Sequence, residues 1–266
     1  MDTRDHAVSL TDYSLRCSAL ALYDAFRQII RVLHDAPARH DAILIMSYPR
    51  GLVLLAATDG ARTHWAAVEA SGASGVGPAT AAIPGDAARE YLLEPIYLPM
   101  YAVFQWGQQG GSLGRVGQSR IAWSQTPDPP AIAHLPPTLP VPIDDGPVII
   151  LREPWYRVAC AARVLGAPTF RLGIDASHGA YAHAVAPDGV RADYTLPVHE
   201  LVDVTGPWHV HVSPHALADA LAAGEAHART ALRYAPDASV ALATGPYHGA
   251  VITPMRPLET DGGAQP

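Results

Sequence analysis

The chain has 266 residues, 49% of them apolar, with 18 basic against 25 acidic side chains for a net charge of −7. That length holds one large or two ordinary domains, each able to bury its own core. All the basic residues are arginine and none is lysine, which excludes a Schiff-base, P-loop or kinase-type lysine, and the acidic balance speaks against coating nucleic acid by bulk charge while leaving room for a local basic stripe.

The spacing of Leu22, Phe26, Ile29 and Leu33 predicts a helix from Ser18 to Leu33, with Arg27, Arg31 and His34 on the opposite face. After Pro37, β-rich runs Ala42 to Tyr48 and Leu52 to Thr58 are joined by Pro49-Arg50-Gly51, and Thr63 to Ala70 follows the turn Asp59-Gly60. Thr80 to Ile83 reads as a short strand, and Pro84 opens a helix over Asp86 to Leu93. Tyr101 to Trp106 and Arg120 to Ser124 read as strands flanking a glycine-rich hairpin, Gly107 to Gly117.

Residues 127–147 are dense in proline and read as an extended connector between domains at 1–126 and 148–258, with 259–266 as a disordered tail. Beyond the connector the order repeats. Val148 to Leu151 is a strand, Glu153 to Leu165 a helix, and Thr169 to Asp175, Ala180 to Ala186 and Gly189 to Thr195 are strands. Trp208 to Val212 leads into Ser213-Pro214, an N-cap and first-turn pair for the helix His215 to Leu221. Arg229 to Tyr234, Ser239 to Ala243 and Ala250 to Thr253 close the chain as strands. The pattern predicts an α+β protein, an internal duplication of two domains with short helices against antiparallel sheets.

Cys17 and Cys160 lie far apart without metal-ligand spacing, so buried thiols in a reducing compartment are expected. No apolar leader follows the charged N-terminus and no run of eighteen apolar residues occurs, so the expectation is a soluble cytoplasmic protein. His209, His211 and His215 have a spacing that could hold zinc, but no acidic or cysteine ligand stands beside them. The glycines from Gly110 to Gly117 follow no strand-to-helix crossover, which argues against a nucleotide loop. No cofactor and no catalytic constellation is expected.

Three segments carry a resemblance. Leu54-Leu55-Ala56-Ala57-Thr58-Asp59-Gly60-Ala61-Arg62 resembles a strand and turn in the central domain of the bacterial DNA polymerase III β sliding clamp family. Val210-His211-Val212-Ser213 with Leu217 and Leu221 is similar to the strand-to-helix passage of the clamp's C-terminal domain, and Ala250 to Leu258, with its Pro-Met-Arg, is similar to the clamp's ending. The resemblance implies the DNA-clamp fold: two tandem clamp-like domains, matching the central and C-terminal ones, with nothing corresponding to the N-terminal domain. A ring of six such domains then needs three copies, a homotrimer closed head to tail.

The resemblance also implies partners: duplex DNA held without base readout, and a DNA polymerase and clamp loader that dock through short peptide motifs. Carried over by residue, the peptide cleft comprises Thr58, Asp59, Gly60, Arg62, Thr63, Pro127, Ile132, Val251, Ile252, Thr253, Pro254, Met255 and Arg256. The DNA-facing set is Arg27, Arg31, His34, Arg152, Arg157 and Arg163, on helices that line the ring. Ala61, Thr63 and Thr253 depart from the histidine, leucine and methionine frequent in the family, which makes the cleft smaller or more polar. The implied function is a non-enzymatic processivity factor, a homo-oligomer acting on DNA replication in the cytoplasm at the nucleoid. The alternative is a clamp-fold adaptor that keeps the cleft but does not encircle DNA, favoured by the scarcity of cations on alanine-rich helices.

Overall fold

The computed structural model describes residues 13–34, 41–74, 80–96, 100–107, 110–118, 120–124, 128, 130–132, 135–144, 146–175, 179–201, 208–222, 229–234 and 239–256. The chain divides into a first unit, Met1–Thr58 with Trp65–Ile132, and a second, Asp59–His64 with Ala133–Pro266.

The first unit opens with β1 (Tyr13–Ser18), in which Leu15 and Cys17 are buried and Arg16 is exposed. This period-two alternation was present in the sequence but was not foreseen as a strand. Ser18 ends β1 and caps α1 (Ala19–Leu33), its hydroxyl accepting from the Ala21 N–H at 3.4 Å. The helix buries Leu22, Phe26, Ile29 and Leu33, the stripe expected from the sequence, and Phe26 meets Tyr91 and Phe104 edge-on. β2 (Ala42–Tyr48) and β3 (Leu52–Thr58) form the expected hairpin around a 3-10 turn, Pro49–Gly51.

β4 (Arg62–Ser74), β5 (Thr80–Pro84), α2 (Gly85–Leu93), β6 (Tyr101–Gly107), β7 (Gly110–Arg115) and β8 (Arg120–Trp123) complete the unit. One sheet runs β5–β2–β3–β4 and another β4–β1–β6–β7–β8. The expected glycine-rich hairpin is instead a full strand, β7, buried at every position. Its glycines make room for an aromatic: a Cβ on Gly111 would lie 2.5 Å from the Trp123 ring.

The second unit repeats the order: β9 (Val148–Leu151), α3 (Arg152–Val164), β10 (Phe170–Asp175), β11 (Gly179–Val185), β12 (Arg191–Leu196), β13 (Val198–Leu201), β14 (Trp208–Val212), α4 (Pro214–Ala222), β15 (Arg229–Tyr234), β16 (Val240–Gly245) and β17 (His248–Ile252). Its sheets are β12–β11–β10–β14 and β13–β9–β15–β16–β17. Where the first unit uses one long strand, β4, in both sheets, the second uses β12 and β13, separated by Pro197. Proline cannot donate to a ladder, so the strand breaks there. The freed Pro197 carbonyl accepts from Trp155 Nε1 at 2.8 Å, which lets that indole sit 1% exposed in the core. β13 was not foreseen.

Among the described residues, each unit thus has two antiparallel sheets, two helices and its own apolar core. This is the α+β class that the sequence pattern predicts.

Candidate functional site

Local chemistry builds the turn after β3. Asp59 Oδ1 accepts from the N–H groups of Ala61 and Arg62 at 2.9 and 2.8 Å, and its Oδ2 accepts from Arg62 Nε at 3.0 Å. Gly60 supplies φ 93°, a left-handed conformation that side chains resist. The Arg62 guanidinium then turns inward. Its side chain is 2% exposed, and Nη1 reaches Asp219 Oδ2 on α4 at 2.6 Å. Two carboxylates around one buried guanidinium satisfy a charge that would otherwise be very costly to bury. The same Asp219 oxygen lies 3.3 Å from His215 Nε2, and His215 Nδ1 lies 3.4 Å from Arg163 Nη1.

The end of β17 is laid against this turn. Val251 and Ile252 are buried, and the backbone beyond them stays extended by two hydrogen bonds. The Thr253 N–H donates to the Ala61 carbonyl at 2.8 Å, and the Met255 N–H donates to the His211 carbonyl on β14 at 2.7 Å. Thr253, Met255 and Arg256 are exposed, with Met255 at 41%, and Pro254 is half-buried. An exposed, unbranched thioether beside a proline gives an adaptable apolar surface held by a fixed backbone.

Of the residues expected in a cleft, Asp59, Arg62, Thr253 and Met255 are therefore brought together through the turn and the last strand. Thr63, Val251 and Ile252 are buried side chains and form its foundation, not its surface, and Thr58, in the first unit, is buried as well. Arg62 is a buried anchor and not a rim cation, because both carboxylates hold it inside. Ile132 is half-buried in the first unit, and Pro127 lies outside the described residues. Sequence reasoning missed Asp219, and it weighed His215 and His211 as a zinc spacing and not as part of this site. The signal available for the first two was their four-residue spacing on one helix face.

The helix cations divide. Arg27, Arg31 and His34 on α1 are exposed, and none has a carboxylate partner among the described residues. Arg152 does not face solvent: it is 6% exposed and donates from Nη1 to the Leu221 carbonyl at 2.7 Å. That corrects its place in the DNA-facing set, because a guanidinium engaged inside the core cannot meet phosphates. Arg157 is exposed but paired with Glu153 one turn back at 2.7 Å, and Arg163 is exposed beside His215. Among the described residues no helix is long and apolar enough to cross a membrane.

No protein-family model and no curated protein matches the sequence. Solved structures do match. The DNA polymerase III subunit beta from Pseudomonas aeruginosa superposes with a TM-score of 0.75 at 16% identity, covering 94% of this chain and 68% of that one. The fold is that of a bacterial sliding clamp. A Helicobacter pylori beta clamp bound to a DNA ligase peptide gives 0.70 at 16% identity, with 92% and 66% covered. A putative DNA polymerase III beta subunit from Eubacterium rectale gives 0.70 at 15% identity, with 91% and 65% covered. This chain therefore spans about two thirds of the length of those clamps. At such identity the sliding-clamp likeness is one of fold, and function has to be argued from the site.

Proposed function

We propose that this clamp-fold chain is a sliding clamp that docks partner peptides at its last strand and encircles duplex DNA as a head-to-tail homotrimer, serving a polymerase and its loader in the cytoplasm at the nucleoid. The proposed domains are 1–126 and 148–258, with 127–147 as connector. Docking rests on Met255: an exposed apolar side chain on an extended backbone pinned to Ala61 and His211, with Pro254 beside it and the Asp59 turn at its edge. Such a surface suits a short peptide with an apolar anchor. The Helicobacter pylori neighbour carries a DNA ligase peptide, which supports the same kind of use here. DNA contact rests on Arg27, Arg31 and His34, the exposed cations of α1, with Arg157 and Arg163 as weaker contributors.

A second reading, an adaptor that docks peptides without encircling DNA, is favoured by the fate of the α3 cations: Arg152 is buried and Arg157 already paired. Light scattering at micromolar concentration separates the two, since the ring requires the mass of three chains and retention on circular but not linear DNA after loading. A monomer indifferent to DNA topology leaves the adaptor. For either reading, a Gln-x-x-Leu-Phe-type peptide is expected to bind, and Met255→Ala to weaken it by about 1–3 kcal/mol. Unchanged binding by the variant removes the docking site.

A further inference from the structure

The sheet β12–β11–β10–β14 buries one face and leaves the other open. On β10, Leu172 and Ile174 enter the core while Arg171 stands on the opposite face. Arg171 is in register with His183 on β11 and with His211 on β14, and His183 with Asp193 on β12. One row across four strands therefore reads Asp193, His183, Arg171, His211, with each side chain in reach of the next. Asp193, the row's only carboxylate, is engaged by His183 Nδ1 at the far end. Arg171 Nε is shielded from solvent and donates to nothing among the described residues. The residue as a whole is only half-buried and carries no ion pair among the described residues, so the rest of its guanidinium can meet an incoming anionic acceptor.

The row also has a direction. His209, exposed, stands on the same face of β14, and the His211 carbonyl holds the Met255 N–H, so the open face runs into the edge from which Met255 and Arg256 project. We infer that this face binds an acidic peptide segment, the flank of a partner whose apolar anchor sits at Met255; the inference rests on the docking reading for that anchor. Strands about 4.8 Å apart set one guanidinium and its imidazole neighbours in a line that fits carboxylates along an extended chain. Permanent positive charge on the row is confined to Arg171, too little to hold a duplex, whose affinity comes from neutralising many phosphates.

The test uses the full chain and fluorescent peptides in three forms: the docking motif with four glutamates on either flank, the same motif with four glutamines, and hexaglutamate alone. The acidic flank is expected to tighten binding about tenfold at low salt, with the gain lost in Arg171→Gln and in high salt. Hexaglutamate is expected to bind weakly and to depend on Arg171 as well. Equal affinity for the two flanks with no hexaglutamate binding overturns the inference. If neither motif peptide binds while hexaglutamate does, the acidic surface stands and the docking reading falls. A short DNA duplex displacing hexaglutamate at equal strength assigns the face to nucleic acid and overturns the peptide. Should Arg171→Gln fail to fold, His209→Glu on the exposed end of the face reads the same loss.

Discussion

Both units end their second helix with a buried arginine, but they take it from different places. In the first unit Arg115, at the end of β7, donates to the carbonyls of Tyr91, Glu94 and Pro95 at 2.9, 3.1 and 2.7 Å, its guanidinium 4.4 Å from the Tyr91 ring centroid. In the second unit Arg152, at the start of α3, donates to the Leu221 carbonyl in the last turn of α4. Helix ends leave carbonyls without intrahelical partners, and a guanidinium has the donors to serve several at once. The difference also decides which cations reach the surface. Because the second unit draws its cap from the first helix, α3 loses a surface cation, while α1 keeps Arg27 and Arg31 exposed.

The largest effect is expected from Arg115→Ala, which removes a buried guanidinium from three carbonyls and an aromatic contact at once: a loss of about 3–4 kcal/mol in denaturant unfolding. Arg152→Ala, which strips the Leu221 carbonyl of its buried donor, is expected to cost about 2–3 kcal/mol by the same measurement. If Arg152→Ala unfolds at the wild-type midpoint and only weakens DNA retention, the contrast between the units is wrong. The double substitution Arg27→Ala, Arg31→Ala should do the reverse, lowering retention on circular DNA about tenfold at low salt with stability within about 0.5 kcal/mol of wild type.

A pH experiment sharpens the second unit's side. Burial first, and then the Arg152 charge, push the His248 imidazole below its ordinary value, and the Thr244 hydroxyl lies 2.8 Å from its Nδ1. The unfolded chain therefore takes up that proton first as pH falls. The stability contribution is complete above about pH 6.5 and is lost as pH drops towards the lower folded-state value. Melting temperatures measured from pH 7.5 to pH 5 should fall less in His248→Gln than in wild type, and parallel slopes would sink the assignment. The smallest effect is expected at Arg157→Ala, whose pair with Glu153 is exposed: about 0.3–0.5 kcal/mol in thermal unfolding, with little change in DNA retention.

Much of the fold was legible because its signals are local. The Leu22, Phe26, Ile29, Leu33 stripe set α1, the runs flanking Pro49-Arg50-Gly51 set the β2–β3 hairpin, and Ser213-Pro214 set the start of α4, where the Ser213 hydroxyl accepts from the Ala216 N–H at 3.3 Å. β7 was hidden because glycine has low strand propensity; the strand is held between β6 and β8, with the Trp123 ring in the space beside Gly111. In the site, the Asp59 turn was legible from its own residues. The inward course of Arg62 was not, since its second carboxylate comes from Asp219, 157 residues away.

The sequence by itself determined the four helices and most of the strands, the repeat of their order, the turn chemistry and the absence of lysine. These depend on neighbours within a few residues, where propensity, periodicity and side-chain to backbone hydrogen bonds act. Only the tertiary structure decided which arginines remain available. Arg62, Arg115 and Arg152 were indistinguishable by type from Arg27 and Arg31, and they became internal anchors because folding brings carboxylates and helix-end carbonyls to them from distant parts of the chain. A charged group is buried only where such partners exist, so the availability of each cation is settled by long-range contacts and not by its place in the sequence.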